Sequence, residues 1–290
     1  MCTIKASGVS RVLLDYHTAA SKMRTVKLTS VKAETPAVKS FAFNDGLCSK
    51  GEPGQFVMVW IPGVDEVPMS LSMLNPKRRQ AAVTAERVGE ATEALHNVKA
   101  GGIIGVRGPF GNNYTVLKAS NVMIVGGGTG LASLAPLAEK LTKERTKITF
   151  LMGAKTKSTL LFHARISDVL SRAKGRLIVA TEDGSYGQRG LVTKSAEKLF
   201  KQGEQFNMIY TCGPEKMMQR MLHLTEKFHI PFEASLERFM RCAIGLCGTC
   251  VIGKYRVCQD GPIFSSQQLL EVKDEFGCWR RGFDGRKIRV

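Results

Sequence analysis

From about Arg24 to Tyr114 the chain alternates short apolar runs with turn residues: TVKLTSVKAE, QFVMVWIPG, MSLSML, AAVTAERVG and IIGVRGPFG. Runs of this length and spacing predict the strands of a small antiparallel barrel. The breaks fall at Pro53-Gly54, Pro62-Gly63, Asn75-Pro76 and Gly101-Gly102, pairs that favour turns. After Ser120 the rhythm changes to strand, glycine turn and helix. VMIVGG runs into GTGLASLAPLAEKL, followed by ITFLMGA, TLLFHARISDVLSRA, RLIVATEDG and MIYTCGPEKMMQRMLHLTEKF. Strands alternating with helical patterns predict a mostly parallel sheet with helices on both faces. This unit ends near Pro231. The remainder, 232–290, is rich in Gly, Cys and charged residues and has too little periodic apolar sequence for a core of its own. A metal centre would supply the missing stability. The chain shows no internal repeat and no low-complexity segment.

Composition agrees with this division, since 290 residues with 43% apolar content suffice for two ordinary domains and a small third. No window approaches the ~18 uninterrupted apolar residues that cross a bilayer, and the Val12–Leu14 run is too short for a signal-peptide core. A soluble, cytoplasmic protein without a membrane partner is the expectation. The formal charge of +17 is spread along the chain. Its densest groups are Pro76 to Arg79 and, near the carboxyl end, Arg280, Arg281, Arg286, Lys287 and Arg289. Neither is interleaved with the aromatic residues of a base-stacking surface, so a solvated exterior is the first reading and nucleic acid a minor one.

Eight cysteines are too few for a disulfide scaffold, and four of them crowd into RCAIGLCGTCVIGKYRVCQD. Four residues separate Cys242 from Cys247, two separate Cys247 from Cys250, and seven lead on to Cys258. The CxxxxCxxC...C order fits plant-type [2Fe-2S] proteins, although their last cysteine usually follows a much longer gap. Zinc is the main alternative, but a zinc ribbon has two CxxC knuckles and here there is one. Redox thiols are a third reading. Gly245 and Gly248 favour the cluster, because they let the backbone turn its N–H groups toward the sulfurs.

VMIVGGGTGLASLAPL sets Gly126, Gly127, Gly128 and Gly130 between a strand and a helix, where free N–H groups can bind a pyrophosphate. The motif is weak alone: Leu131 stands where a third fingerprint glycine belongs, and GAKTK, not an acidic residue, follows ITFLM. Lys155 and Lys157 could accommodate a 2′-phosphate there, which leaves NAD and NADP both open.

Taken together, the barrel, the GGGTG turn, TEDGSYGQRG, YTCGPEKMM and ERFMRCAIGLCGTC...VCQDGPIF resemble the iron-sulfur electron-transfer subunits of dihydroorotate dehydrogenase B, a branch of the ferredoxin-NADP reductase superfamily. The resemblance runs from about Lys22 to Leu270, and the cysteine segment is its most specific part. It implies an FAD-binding barrel over 20–117, an NAD(P)-binding α/β domain over 118–231 and a [2Fe-2S] module with a basic tail over 232–290. It further implies electron transfer with a separate FMN-containing catalytic subunit in pyrimidine biosynthesis. In the biosynthetic direction electrons would run from dihydroorotate through FMN, cluster and FAD to NAD+. The runner-up functions are a reductase subunit of a hydrogenase and a ferredoxin:NADP oxidoreductase. A zinc-stapled, basic nucleic-acid-binding protein is the alternative from another class.

Carried over by position, Val67, Pro68, Met69 and Ser70 match the family's RPxS flavin motif, with Ser70 near the isoalloxazine. Glu86, Arg87, Gly89 and Thr92 fall in its second flavin segment, with Arg87 and Thr92 near ribityl and phosphate groups. Gly127, Gly128, Thr129 and Gly130, with Cys212, Gly213 and Pro214, match the nicotinamide-nucleotide contacts. Cys242, Cys247, Cys250 and Cys258 match the cluster ligands. Val67 departs from the motif, which has Arg there, so either FAD binds more weakly or Arg87, Arg107 or a neighbouring lysine replaces the missing contact. The tail beyond Leu270 runs about twenty residues further than the family pattern and includes Cys278 and Trp279. Cys212 reads equally as a buried small hydrophobe. Cys2, Cys48 and Cys278 read as plain thiols, the five dispersed histidines as non-catalytic, and Met217, Met218 and Met221 as core.

Overall fold

The computed structural model describes residues 18–173, 175–282 and 284–290. Cys2 and the Val12–Leu14 run lie outside them. Six antiparallel strands close a barrel: β1 (Arg24–Thr35), β2 (Val38–Asn44), β3 (Phe56–Ile61), β4 (Asp65–Asn75), β5 (Gln80–Glu86) and β6 (Ile103–Phe110), in the order β1-β2-β5-β4-β3-β6. β2 is not among the runs expected from the pattern. Its Phe41, Ala42 and Phe43 are all buried, so it lacks the alternation by which a half-exposed strand is read. α1 (Glu90–Asn97) follows β5.

The two faces of β3 determine where chemistry can sit. Val57 and Val59 fill the barrel, whereas Phe56 and Met58 point out of it into a second core that includes Cys250 and Cys258. Burial on both faces makes QFVMVWI read as one continuous apolar run.

The second sheet has seven strands: β7 (Asn121–Gly127), β8 (Lys147–Ala154), β9 (Arg176–Thr181), β10 (Gln188–Arg189), β11 (Met208–Cys212), β12 (Phe232–Ser235) and β15 (Ile263–Ser265). Their order is β10-β9-β8-β7-β11-β12-β15, parallel except for β15. α2 (Leu131–Lys143) and α3 (His163–Arg172) cover one face; α4 (Val192–Lys201) and α5 (Glu215–Phe228) cover the other. The small hairpin β13 (Val251–Ile252) and β14 (Tyr255–Arg256) leads into α6 (Val257–Asp260), and α7 (Ser266–Leu270) follows β15. A last hairpin joins β16 (Trp279–Arg281) to β17 (Lys287–Arg289).

The expected division at 231/232 falls inside this sheet. β12 pairs with β11, β15 pairs with β12, and Met240, Ile252 and Val257 share a core with α5. FEAS and IFS are too short to show a period, yet as added strands they bury their apolar residues against neighbours already in place. The barrel is fastened to the same region by Asn112, whose side chain accepts from Ile263 N–H at 2.9 Å and donates to Ile263 C=O at 2.8 Å.

Candidate functional site

The cysteines lie on a loop between β12 and β13 and on α6. Gly245 and Gly248 have φ of +77° and +71°, the left-handed region where glycine is least strained. The loop aims amides at sulfur: Gly245 N–H donates to Cys258 Sγ at 3.3 Å, and Leu246 and Cys247 N–H donate to Cys242 Sγ at 3.3 and 3.4 Å. Cys258 N–H donates to Cys250 Sγ at 3.4 Å. Such donors stabilise thiolate charge. Burial works against ionisation of Cys247, but hydrogen bonds from Thr249 and from the Cys242 side outweigh it and lower its thiol to about 6. Cys250 is brought down to about 7, first by its hydrogen bond with the Cys258 side chain, while Cys258 is pushed up by that same contact and by burial.

The thiols therefore form two pairs, Cys242 with Cys247 and Cys250 with Cys258. Among the described residues no three His, Cys, Asp or Glu side chains are grouped to hold a single metal ion. Two adjacent irons bridged by sulfide need two thiolates each, and the paired donor set with its N–H cradle fits such a cluster. Cys250 and Cys258 are buried, whereas Cys247 is exposed beside Leu246, which is 80% exposed, and Ile244.

The VPMS segment lies on β4, in register with β3: Val59 opposite Val67, Met58 opposite Pro68, Val57 opposite Met69 and Phe56 opposite Ser70. Val67 and Met69 pack with the barrel core. Pro68 and Ser70 share the outward face of Met58 and Phe56, the side on which Cys250 and Cys258 are packed. In the second segment, Glu86 ends β5 exposed, and Arg87 is half exposed with only a 3.6 Å pairing to Glu93. The Thr92 hydroxyl is occupied locally: it accepts from Val88 and Gly89 N–H at 2.9 and 3.1 Å and donates to Gly89 C=O, closing the first turn of α1. Arg107 is held by Glu66.

GGGTG ends β7 and TCGP ends β11, and these are the neighbouring strands at which the sheet order reverses. Open α/β sheets bind ligands beyond the strand ends at that point. Cys212 lies opposite Gly126 in register. The glycines there have two distinct uses. A Cβ on Gly130 would lie 2.4 Å from the Cys212 carbonyl group, and one on Gly213 would lie 2.7 Å from Gly127 O, so these positions let the two turns touch. A Cβ on Gly128 would meet nothing within 4 Å, and Gly128 is exposed at the helix start with Thr129 half-buried beside it. Cys212 is buried, and desolvation followed by the charge of Glu237 raises its thiol well above the usual range.

Two family models match. "Iron-sulfur cluster binding domain of dihydroorotate dehydrogenase B" covers residues 237–270, which contain all four cysteines, and "Oxidoreductase NAD-binding domain" covers 124–223. A probable dihydroorotate dehydrogenase B (NAD(+)) electron transfer subunit from Methanocella arvoryzae is 41% identical, over 92% of this chain and 100% of its own length. The corresponding protein of Methanocaldococcus jannaschii is 38% identical, over 90% of this chain and 96% of its own. The chain belongs to the family of dihydroorotate dehydrogenase B electron transfer subunits. A solved structure of an NADH-dependent reduced ferredoxin-NADP oxidoreductase, described in connection with flavin-based electron bifurcation, is 29% identical with a TM-score of 0.77, covering 86% of this chain and 91% of the other.

As a member of this electron transfer family, the chain is an oxidoreductase subunit. Among its described residues no helix is long and apolar enough to cross a membrane. Two features of this family member have no local sequence signal. One is the Arg238–Glu215 ion pair, which is buried and two-pronged at 2.7 and 2.9 Å. The other is the attachment of the tail: Gly277 N–H donates to the same Glu215 at 2.8 Å, and Gln219 donates to Phe276 C=O at 2.9 Å. Glu215 directly follows the TCGP turn, so the tail is anchored beside the nucleotide segment.

Proposed function

We propose that this chain relays electrons between NAD(P) and the FMN-containing catalytic subunit of dihydroorotate dehydrogenase through FAD and a [2Fe-2S] cluster, in the cytoplasm. The observation that carries the reading is the shared core: the outward face of β3 and β4, with Pro68 and Ser70, is on the side where Cys250 and Cys258 are buried. FAD supplies the conversion between a hydride pair and single electrons, which a one-electron cluster can accept.

The chain's residues divide the remaining tasks. Cys242, Cys247, Cys250 and Cys258 hold the irons, and the Gly245, Leu246 and Cys247 amides stabilise sulfur charge. Pro68 and Ser70 border the flavin, with Val67 and Met69 supporting them from the barrel core. Glu86, Arg87, Gly89 and Thr92 frame its ribityl and phosphate end. Arg87 is the better replacement for the motif's missing arginine, because Arg107 is already paired. Gly128 and Thr129 offer helix-start amides to the nucleotide phosphates, while Gly127, Gly130, Cys212, Gly213 and Pro214 form the floor beneath it. The partner subunit covers the Cys247 side, where Ile244 and Leu246 are exposed.

Purified protein is expected to be yellow-brown, to contain FAD, iron and labile sulfide, and to support dihydroorotate-dependent NAD+ reduction once combined with the FMN subunit. Reduction of ferredoxin without any response to dihydroorotate would instead establish the ferredoxin:NADP oxidoreductase reading, which the likeness to the 29% identical structure favours. Colourless, zinc-containing protein would refute both.

A further inference from the structure

One guanidinium spans the two redox segments. Arg107 of β6 lies opposite Met58 of β3, which in turn lies opposite Pro68 of β4, so all three occupy one cross-strand row. Its Nε and Nη2 each donate to a carboxylate oxygen of Glu66 at 2.7 Å. Nη1 donates to the Cys242 carbonyl at 3.3 Å, and Nη2 lies 3.5 Å from the Arg241 carbonyl. The guanidinium carbon sits 5.7 Å from the Phe110 ring centre. Arg107 and Glu66 are only 16% and 22% exposed, so their charges are less screened than a surface pair's. Glu66 immediately precedes Val67.

We propose that Arg107 is a positioning residue for electron transfer, fixing the Cys242 end of the cluster loop to the flavin-bearing strand and placing a positive charge beside the first cluster ligand. The proposal rests on the function argued above. Arginine suits this place because its planar fork can grip a carboxylate with two nitrogens and still reach carbonyls with others. Charge and hydrogen bonding near the ligands set a cluster's reduction potential. The Arg107 cation favours the reduced cluster, which carries one more negative charge. Glu66 holds that cation in place and opposes it electrostatically.

The two members of the pair therefore have opposite electrostatic signs at the cluster, which a purely structural role would not give. The test is spectroelectrochemical titration of the full-length holoprotein as wild type, Arg107→Met, Arg107→Lys and Glu66→Gln, with FAD and iron content measured in parallel. Arg107→Met is expected to lower the cluster potential and alter its electron paramagnetic resonance spectrum, while Glu66→Gln is expected to raise the potential, with FAD retained in each. Arg107→Lys keeps the charge but loses the fork, so it should restore most of the potential and leave the spectrum altered. If Arg107→Met does not retain its cluster, Glu66→Gln and Arg107→Lys carry the same decision. Unchanged potentials, or shifts of one sign in the Arg107→Met and Glu66→Gln proteins, would overturn the proposal. Wild-type protein lacking flavin or cluster would instead refute the underlying function, whatever the variants do.

Discussion

Cys212 and Cys247 each stand at a glycine-bearing turn, yet their surroundings give them opposite chemistry. Cys212 closes a central strand, is buried, and has its thiol raised by desolvation. Cys247 lies on an exposed loop where hydrogen bonds hold its thiol near 6. The glycines differ in the same way. Gly130 and Gly213 remove side chains so that two backbones can touch, whereas Gly245 and Gly248 take left-handed conformations in a loop that turns amides toward sulfur. At Cys212 burial outweighs the hydrogen bonds from Ser235 and Gly213, whereas at Cys247 the hydrogen bonds outweigh burial.

The largest expected effect separates the two cysteines directly. Cys247→Ser should abolish the iron-sulfur absorption and magnetic resonance signals while FAD remains bound, whereas Cys212→Ser should retain both cofactors. A cluster surviving in the first variant would remove Cys247 from the ligand set. Next, Gly130→Ala would press a methyl group onto the Cys212 backbone, and a loss of about 1–3 kcal/mol is expected in denaturant unfolding, at or above the upper end if neither turn can yield. Gly128→Ala meets no atom but must keep a φ of +54°, so a smaller loss, about 1 kcal/mol, is expected, with weaker nucleotide binding in titration calorimetry. Equal costs for the two alanines would contradict the division of the glycine turn into a packed half and an open half. Of about the same size, Cys212→Ala should cost about 1 kcal/mol by the same unfolding measurement and leave the cluster spectrum unchanged.

What could be read from the sequence was local. The CxxxxCxxC...C spacing, the GGGTG turn and the alternation of strand and helix all lie within short windows, and together they carry the resemblance to the family. β2 is not legible because its buried Phe-Ala-Phe run has no alternation, and α4 is not among the elements the pattern predicts. β12 and β15 looked like parts of a separate module because strands of four and three residues carry no usable period. Arg107 was legible only as a spare cation for the flavin. Its partners Glu66 and Cys242 are 41 and 135 residues away, and no periodicity announces pairings at that separation. The tail's attachment to Glu215 and Gln219 was hidden for the same reason.

The central claim is that electrons cross this chain by way of the cysteine loop. The most direct test is an anaerobic assay of the complex with the FMN subunit, following FMN reduction and NADH formation after dihydroorotate is added. Wild-type chain should give both, and Cys247→Ser chain should give FMN reduction with NADH formation lost. NADH formed at the wild-type rate by the cluster-free complex would contradict the account.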